Sequence, residues 1–382
     1  MTTLTLPLVE ACPKKMRLGP CGGVGPDGGC EIDPSHACLF LEPEWASAQA
    51  ASAPVTPATH RTAPGTSAFQ DRLDSGAFGV VAEVNGPDTV DVTEFVTAAE
   101  RIAEVADVVS VTDHSGATVH MGNVAATAHL LARGLEVMPT FGCRDRNRMA
   151  LQGDLLGIAS LGARNALLVT GNHPEVGDSP DATPVFDLDS PRLLQVAARM
   201  RDEGRYANGR PIEERPRLYL GATAHPFAQP YDDRPGQVLR KVVAGADFVI
   251  SQHVFDLPLW RRFVDGVNAL RGDAPPFHLL GGVAILPDEP IARRVNAGLR
   301  GFSIPEETLT RLRQARDPQA EGITIAAEIV AELDATDGVS GCLLAPVTGR
   351  SNALTASAEQ TELIAEVRRQ AGVPVPVSGA AS

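Results

Sequence analysis

The stretch that decides the fold class is residues 78–112, FGVVAEVNGPDTVDVTEFVTAAERIAEVADVVSVT. It opens with a short apolar run at 79–84, passes through a longer stretch at 93–106, and returns to an apolar run at 107–112. In the longer stretch Phe95, Ala99 and Ile102 recur every three or four residues and mark one apolar face of a helix. The short runs are rich in branched apolar residues, as in a parallel strand covered on both faces. The stretch therefore predicts a β-α-β unit.

The same alternation continues to the end of the chain, where eight units can be counted. The predicted strands are 79–84, 107–112, 136–143, 165–170, 217–224, 248–254, 277–285 and 338–345. The predicted helices that follow them are 93–106, 123–133, 146–161, 191–203, 236–244, 258–270, 290–296 and 358–370. Eight such units with right-handed crossovers predict an α/β fold, the (β/α)8 TIM barrel. A doubly wound open sheet is disfavoured because the first turn has no Gly-rich phosphate motif.

Two further helical stretches, 304–314 and 323–335, precede the eighth strand and are expected at the barrel mouth or beside it. The chain before the barrel is of a different kind. Residues 1–45 form a cysteine-rich module, and residues 46–70 contain mostly Ala, Ser, Thr and Pro, which predicts an extended linker. Residues 71–382 are assigned to the barrel. The sequence thus predicts two units joined by a linker.

The module carries four of the six cysteines, at Cys12, Cys21, Cys30 and Cys38. Glycines and prolines separate them, and too few apolar residues are present to build a core, so a bound metal would supply the missing stability. Four thiolates suit tetrahedral zinc and also an iron–sulfur cluster, and their spacing matches neither common pattern. Free thiols are the alternative. His36 lies in the same segment and is interpreted as a bystander.

Composition narrows the classes of partner and location. The formal net charge of −14 disfavours nucleic acid and anionic lipid, so a small-molecule substrate is expected. No apolar stretch reaches the ~20 residues of a membrane span, and the N-terminus lacks the pattern of a signal peptide. These features predict a cytoplasmic protein.

Reacting groups in such barrels come from the C-terminal ends of the strands. This rule selects Glu83 with Asn85, Thr112 with Asp113 and His114, Thr140 with Cys143 and Arg144, Thr170 with Gly171, Asn172 and His173, His225, Gln252 with His253, and Gly281 with Gly282. Three of them are interpreted individually. Glu83 ends the first strand, where burial can raise the pKa of its carboxyl group and suit it to proton transfer. His225 follows the fifth strand in a His-Pro pair, and it is either a mouth residue or a turn histidine bonded to backbone. Gln252 ends the sixth strand, where an amide can read a pterin or flavin ring or bond within the barrel.

Two stretches resemble the methylenetetrahydrofolate reductase family. The pattern C-P-K, G-P-C-G-G, G-x-C-E and C between Cys12 and Cys38 resembles the small cysteine-rich domain that accompanies some bacterial members. The remainder, about 78–373, resembles the catalytic barrel, most strongly in the His-Pro pair at His225 and in LRKVVAGADFVISQHVFD at 239–256. The resemblance implies an oxidoreductase that moves hydride between NAD(P)H and methylenetetrahydrofolate, normally through FAD, in one-carbon metabolism.

The resemblance also implies roles for individual residues. Glu83 matches the acid that assists opening of the folate ring, and Gln252 matches a folate-contacting glutamine. Asn172 and Phe255 complete the implied substrate positions. The implied cofactor positions are Thr112, Thr140, Thr170, Gly171, His225, Arg240 and Lys241.

Three positions depart from the family pattern. Thr170-Gly171-Asn172 stands where the family has Arg-Gly-Asp, Thr140 replaces a histidine, and Gly221 replaces a tyrosine. These departures leave direct hydride transfer from NADH, without flavin, as an alternative to FAD. Two other functions also remain open: a tetrahydrofolate-dependent methyl-transfer or demethylation component, and a non-catalytic folate-binding subunit. A homo-oligomer, or a partner subunit docked on the cysteine module, is a further prediction.

Overall fold

The computed structural model describes residues 11–42, 63, 65–272, 274–298, 303–347 and 358–375. Eight parallel strands pair in sequence order, and the eighth pairs with the first, so the sheet is a closed barrel. The strands are β1 Gly79–Val84, β2 Val108–Val111, β3 Val137–Gly142, β4 Asn165–Val169, β5 Tyr219–Ala224, β6 Phe248–His253, β7 His278–Ile285 and β8 Val339–Pro346. The predicted TIM barrel is confirmed, and the strand ends differ from the prediction by one or two residues.

Helices surround the barrel, and the first of them covers its N-terminal end. They are α1 Ala68–Asp74, α2 Thr93–Ala103, α3 Asn123–Leu131, α4 Arg148–Ser160, α5 Ser190–Glu203, α6 Arg234–Val243, α7 Leu257–Leu270, α8 Glu289–Gly298, α9 Glu306–Gln314, α10 Pro318–Ala335 and α11 Ala358–Ala371. The two extra helical stretches are α9 and α10. Leu333 of α10 packs against Gly281 of β7, so α10 lies beside the barrel.

Helix α1 was not predicted and begins inside the range 46–70 assigned to the linker. Ser67 caps it by accepting the backbone N–H of Gln70. Phe69 is 0% exposed and packs edge-on against Phe248, with 5.7 Å between ring centroids. Leu73 lies beside it against the start of β1, so α1 covers the N-terminal end of the barrel interior. The linker residues before 63, with residue 64, lie outside the described residues, and the boundaries at 45 and 70 stay a prediction.

The cysteine module lies on the opposite, C-terminal end of the strands. Its described part, residues 11–42, has a small core of Met16 and Phe40 with cysteines packed around it. The buried guanidinium of Arg234 donates to the carbonyls of Pro20 and Cys21, at 3.2 and 3.1 Å. Gln229 Nε2 donates to Pro26 O at 2.6 Å. The two predicted units are therefore in direct contact across the barrel mouth.

None of the helices in the described part of the chain is both long enough and apolar enough to cross a membrane.

Candidate active site at the barrel mouth

A cavity of about 300 Å³ lies between the strand ends and the cysteine module. The barrel wall contains ten of the predicted site residues: Glu83, Thr112, Thr140, Thr170, Gly171, Asn172, His225, Arg240, Lys241 and Gln252. Phe255 does not line the cavity. Its side chain is 7% exposed and packs in the main hydrophobic core instead. The strand-end rule therefore brings together residues from six strands and the loops that follow them.

Glu83 lies near the end of β1, with its carboxyl group at the cavity. No hydrogen bond or ion pair to it is found among the described residues. Removal from water without a compensating partner raises the pKa of this carboxyl group to about 7. Glu83 is therefore divided between its acid and carboxylate forms near neutral pH, the condition under which a carboxyl group transfers protons most effectively.

The neighbouring strand ends are tied by polar contacts. Thr112 Oγ1 donates to Asn85 Oδ1 at 2.6 Å, which links β2 to the loop after β1. Asp113 accepts the backbone N–H of Gly142 at 2.7 Å and also pairs with Arg146. The side chain of Asp113 thus holds the loop after β3, whereas no such contact is found for Glu83 among the described residues.

Two cavity histidines are neutral at pH 7. Burial, with Lys241 nearby, lowers the pKa of His225 well below its usual 6.5. Burial alone lowers the pKa of His253 to about 4. Neither imidazole therefore adds a positive charge beside Glu83, and each can act as a neutral donor or acceptor.

Several buried polar atoms near the cavity lack partners. They are Asn85 Nδ2, Thr140 Oγ1 and His225 Nδ1, each shielded from bulk solvent and without a hydrogen bond in the described structure. An unpaired buried polar group costs about 1–3 kcal/mol. A polar ligand or bound water in the cavity would remove this cost.

The cations predicted for a flavin pyrophosphate are already engaged. Arg240 pairs with Asp233 at 2.8 Å, and Lys241 Nζ donates to Thr223 O at 2.6 Å. Burial lowers the pKa of Lys241 to about 8. The cavity volume of about 300 Å³ is at the lower end for a small-molecule pocket, roughly 300–1,000 Å³. Both cations have protein partners in the described structure, and no step below is derived through flavin.

The other wall of the cavity comes from the module, and the sequence reasoning missed it. Lys14 and Glu31 line the cavity together with residues 18–23. They form an ion pair whose side chains are 7% and 9% exposed. Lys14 is two residues from Cys12, and Glu31 follows Cys30, so the sequence pattern predicts a role only for the cysteines around them. No periodic pattern in the sequence relates either residue to the barrel mouth.

All four module cysteines line a second cavity of about 330 Å³. Burial raises the pKa of Cys12, Cys21 and Cys38, the last to about 12, so without a bound cation these groups are thiols. Four cysteine thiols line one cavity, and thiolates are the ligands that zinc and iron–sulfur clusters take. Within the described residues, however, no three Cys, His, Asp or Glu side chains are grouped as ligands of a single ion.

The closed parallel barrel and its polar mouth define a TIM-barrel protein with a small-molecule site at the C-terminal face. A sequence profile described as methylenetetrahydrofolate reductase matches residues 68–344, most of the chain. A second profile, described as the C-terminal part of methylene-tetrahydrofolate reductase, matches residues 2–54. The chain belongs to the methylenetetrahydrofolate reductase family, and its cysteine module precedes the barrel. No curated protein matches it.

Two solved structures are similar to this chain at low sequence identity. An uncharacterized protein from Clostridium thermocellum, which binds two copies of 5-methyl-5,6,7,8-tetrahydrofolic acid, is 14% identical with a TM-score of 0.55. The match covers 80% of this chain and 100% of that one. Ligand-free tryptophan synthase from M. tuberculosis matches over 80% of this chain and 99% of its own, at 15% identity and a TM-score of 0.45.

Proposed function

We propose that this chain reduces 5,10-methylenetetrahydrofolate to 5-methyltetrahydrofolate with hydride from NAD(P)H. The observation that carries the proposal is the unpartnered carboxyl group of Glu83, held at the strand ends with a pKa of about 7. Membership of the methylenetetrahydrofolate reductase family supports the substrate. The binding of 5-methyltetrahydrofolate by the Clostridium thermocellum protein, which shares the fold, is compatible with it.

The role proposed for Glu83 is that of an acid. Protonated Glu83 gives its proton to N10 of the folate, the bond from N10 to the bridging carbon breaks, and an iminium forms between that carbon and N5. The nicotinamide supplies a hydride, which adds to the iminium carbon and gives the N5-methyl group. One proton and one hydride are consumed, the folate is reduced, and NAD(P)H is oxidised. Glu83 is left as a carboxylate that takes a proton from solvent before the next turnover.

The remaining mouth residues are proposed to position the pterin ring. Gln252 offers an amide donor and acceptor at the end of β6, and Asn172 offers another after β4. Thr140 Oγ1, which has no partner in the described structure, would gain a hydrogen bond from a bound ring. Neutral His225 and His253 leave the acid form of Glu83 stable, since no adjacent imidazolium favours its carboxylate.

We further propose that the hydride passes directly from the nicotinamide to the folate. Support comes from the pairing of Arg240 with Asp233 and of Lys241 with Thr223 O, which gives protein partners to both cations implied for the flavin. In the module, Cys12, Cys21, Cys30 and Cys38 would hold zinc or an iron–sulfur cluster, which would supply the stability that residues 11–42 lack on their own.

An assay of NADH and NADPH oxidation with methylenetetrahydrofolate tests the activity. We expect turnover that requires both the nucleotide and the folate. The purified protein is expected to be colourless with zinc or brown with an iron–sulfur cluster, and to lack the yellow colour of bound flavin. If the protein binds 5-methyltetrahydrofolate but oxidises neither nucleotide, the reductase proposal is wrong and a binding subunit is the better description. If turnover requires added FAD, the proposal of direct hydride transfer is wrong and the proposal of a reductase stands.

A further inference from the structure

The wall between the two cavities is the most informative feature that the proposed reaction leaves unused. Lys14, Met16, Cys21, Gly23 and Glu31 line both the barrel mouth and the cysteine cavity. Lys14 and Glu31 are the two charged residues among these five, and they form the ion pair described above. The module therefore presents a fixed cation and a fixed anion to the space in which the ligand would bind.

This pair has hydrogen-bonding capacity left over. An ammonium group has three N–H donors, and Glu31 is the one hydrogen-bond or ion-pair partner found for Lys14 in the described structure, with Cys21 close enough to interact with its charge. Lys14 is 6% exposed, so bulk water does not take up the remaining donors. Buried ion pairs recover their desolvation cost only when further hydrogen bonds complete them. A ligand in the mouth can complete this one.

The other acidic groups of the cavity are less available. Asp113 is paired with Arg146 and with the N–H of Gly142. Glu83 is assigned to proton transfer. Asn172, which stands where the family has an aspartate, is an uncharged amide. Glu31 is therefore the carboxylate of this cavity that contacts Lys14 and has no second protein donor among the described residues.

We propose that Lys14 and Glu31 form a recognition pair for the 2-amino-4-oxopyrimidine edge of the pterin, an inference that rests on the proposed folate ligand. That edge carries two adjacent N–H donors, at N3 and the 2-amino group, beside the carbonyl oxygen O4. Glu31 accepts from the two donors, and Lys14 donates to O4. The amide of Gln252, on the barrel wall, is left to form hydrogen bonds with another edge of the ring. The module is thus part of the substrate site.

The experiment uses the full chain and two ligands, (6S)-5-methyltetrahydrofolate and its 2-desamino-2-methyl analogue, in which a methyl group replaces the 2-amino group. Wild type is expected to bind the analogue about ten- to a hundredfold more weakly, since a charged acceptor is left unpaired. In Glu31→Gln this ratio is expected to fall to about threefold or less. The ratio is measured within each variant, so a general loss of affinity or stability cancels.

Matched controls lie in the same module. Asp33→Asn removes an exposed carboxylate that bonds only to Ser35 and His36, and it is expected to keep the wild-type ratio. Lys14→Met is expected to weaken both ligands, whereas Lys15→Met, which removes an exposed lysine bonded to Val185 O, is not. Glu31→Asp keeps the charge but shortens its reach, and it is expected to give an intermediate ratio if Glu31→Gln does not fold.

The outcomes separate the two proposals. If wild type binds both ligands equally, or if Glu31→Gln and Glu31→Asp keep the full ratio, the recognition pair is wrong while the folate site stands. If wild type binds neither ligand, the proposed function itself is wrong.

Discussion

Gly22 of the cysteine module lies directly against the imidazole ring of His225. A Cβ atom on Gly22 would stand 2.1 Å from Nδ1 of that ring, well inside van der Waals contact. No side chain can therefore occupy this position while the module is seated on the barrel mouth. The contact joins the two units at the proposed substrate site.

Gly22→Ala is expected to lift the module from the mouth, because His225 is buried and cannot retreat. Hydrogen exchange of the amides in 11–42 should rise, and affinity for 5-methyltetrahydrofolate should fall. Gly153→Ala is the matched control, since a Cβ there meets nothing within 4 Å on helix α4. It should be neutral or slightly stabilising, by at most about 1 kcal/mol. Unchanged exchange in Gly22→Ala would show that the contact is not needed for docking.

Arg234→Met is expected to destabilise the protein by roughly 2–4 kcal/mol, as buried carbonyls lose a charged donor. Arg234 is 1% exposed and donates to carbonyls of both the module and the barrel. Urea unfolding measures the change. Arg262→Met, which removes an exposed ion pair with Asp232, should stay within about 0.5 kcal/mol of wild type. Similar losses in both variants would argue against a special role for Arg234.

The barrel could be predicted from the sequence because each strand carries its own local signal, a short apolar run between amphipathic stretches. Arg240 and Lys241, on helix α6, were implied by the family resemblance. Eight other predicted barrel residues line the cavity because strand ends converge on one face. Phe255 does not, because its position in the chain cannot tell a mouth residue from a core residue. Lys14 and Glu31 were missed for a different reason: the contact between the module and the barrel joins residues about two hundred positions apart, and no local pattern records it.

Glu83→Gln is expected to lower the rate of folate reduction by roughly 10²- to 10⁴-fold, the usual contribution of a general acid, with 5-methyltetrahydrofolate binding retained. In wild type the active form is protonated Glu83, whose pKa is about 7. The rate should therefore be highest below pH 7 and fall about tenfold per pH unit above it. A pH-rate profile checks this, and a flat wild-type profile would contradict it.

The same group affects stability. The folded protein holds the proton of Glu83 up to pH about 7, whereas the unfolded chain releases it near 4.5, so stability falls as pH rises between those values. The loss is at most roughly 3 kcal/mol. Glu83→Gln carries no such loss, and its free energy of unfolding at pH 8 should exceed that of wild type. Near pH 4 the two should be alike.

Cys21→Ser is expected to lower the metal content of the purified protein and its melting temperature. Cys21 lines both cavities, so loss of the centre should also weaken ligand binding at the mouth. Elemental analysis and the visible spectrum of protein purified without oxygen distinguish zinc from iron–sulfur. Cys143→Ser is the control, since Cys143 is buried in the barrel core away from the module. Equal metal content in wild type and Cys21→Ser would count against this ligand.

Phe69→Ala is expected to cost about 3–5 kcal/mol, although Phe69 lies far from the mouth. Its ring packs against Tyr219 and Phe248 at the base of the barrel. Thermal unfolding measures the loss, and the affinity for folate in the folded fraction should be unchanged. A cost below 1 kcal/mol would mean that α1 does not close the barrel.

The anchoring of Cys21 O by Arg234, 213 residues further along the chain, has a consequence during synthesis. At about 5–20 residues per second, the ribosome needs roughly 10–40 s to make that intervening stretch. For this time the cysteines have left the ribosome while their docking surface does not yet exist. The nascent module must therefore keep its thiols reduced, or bind the metal proposed above, before its docking surface on the barrel has been made.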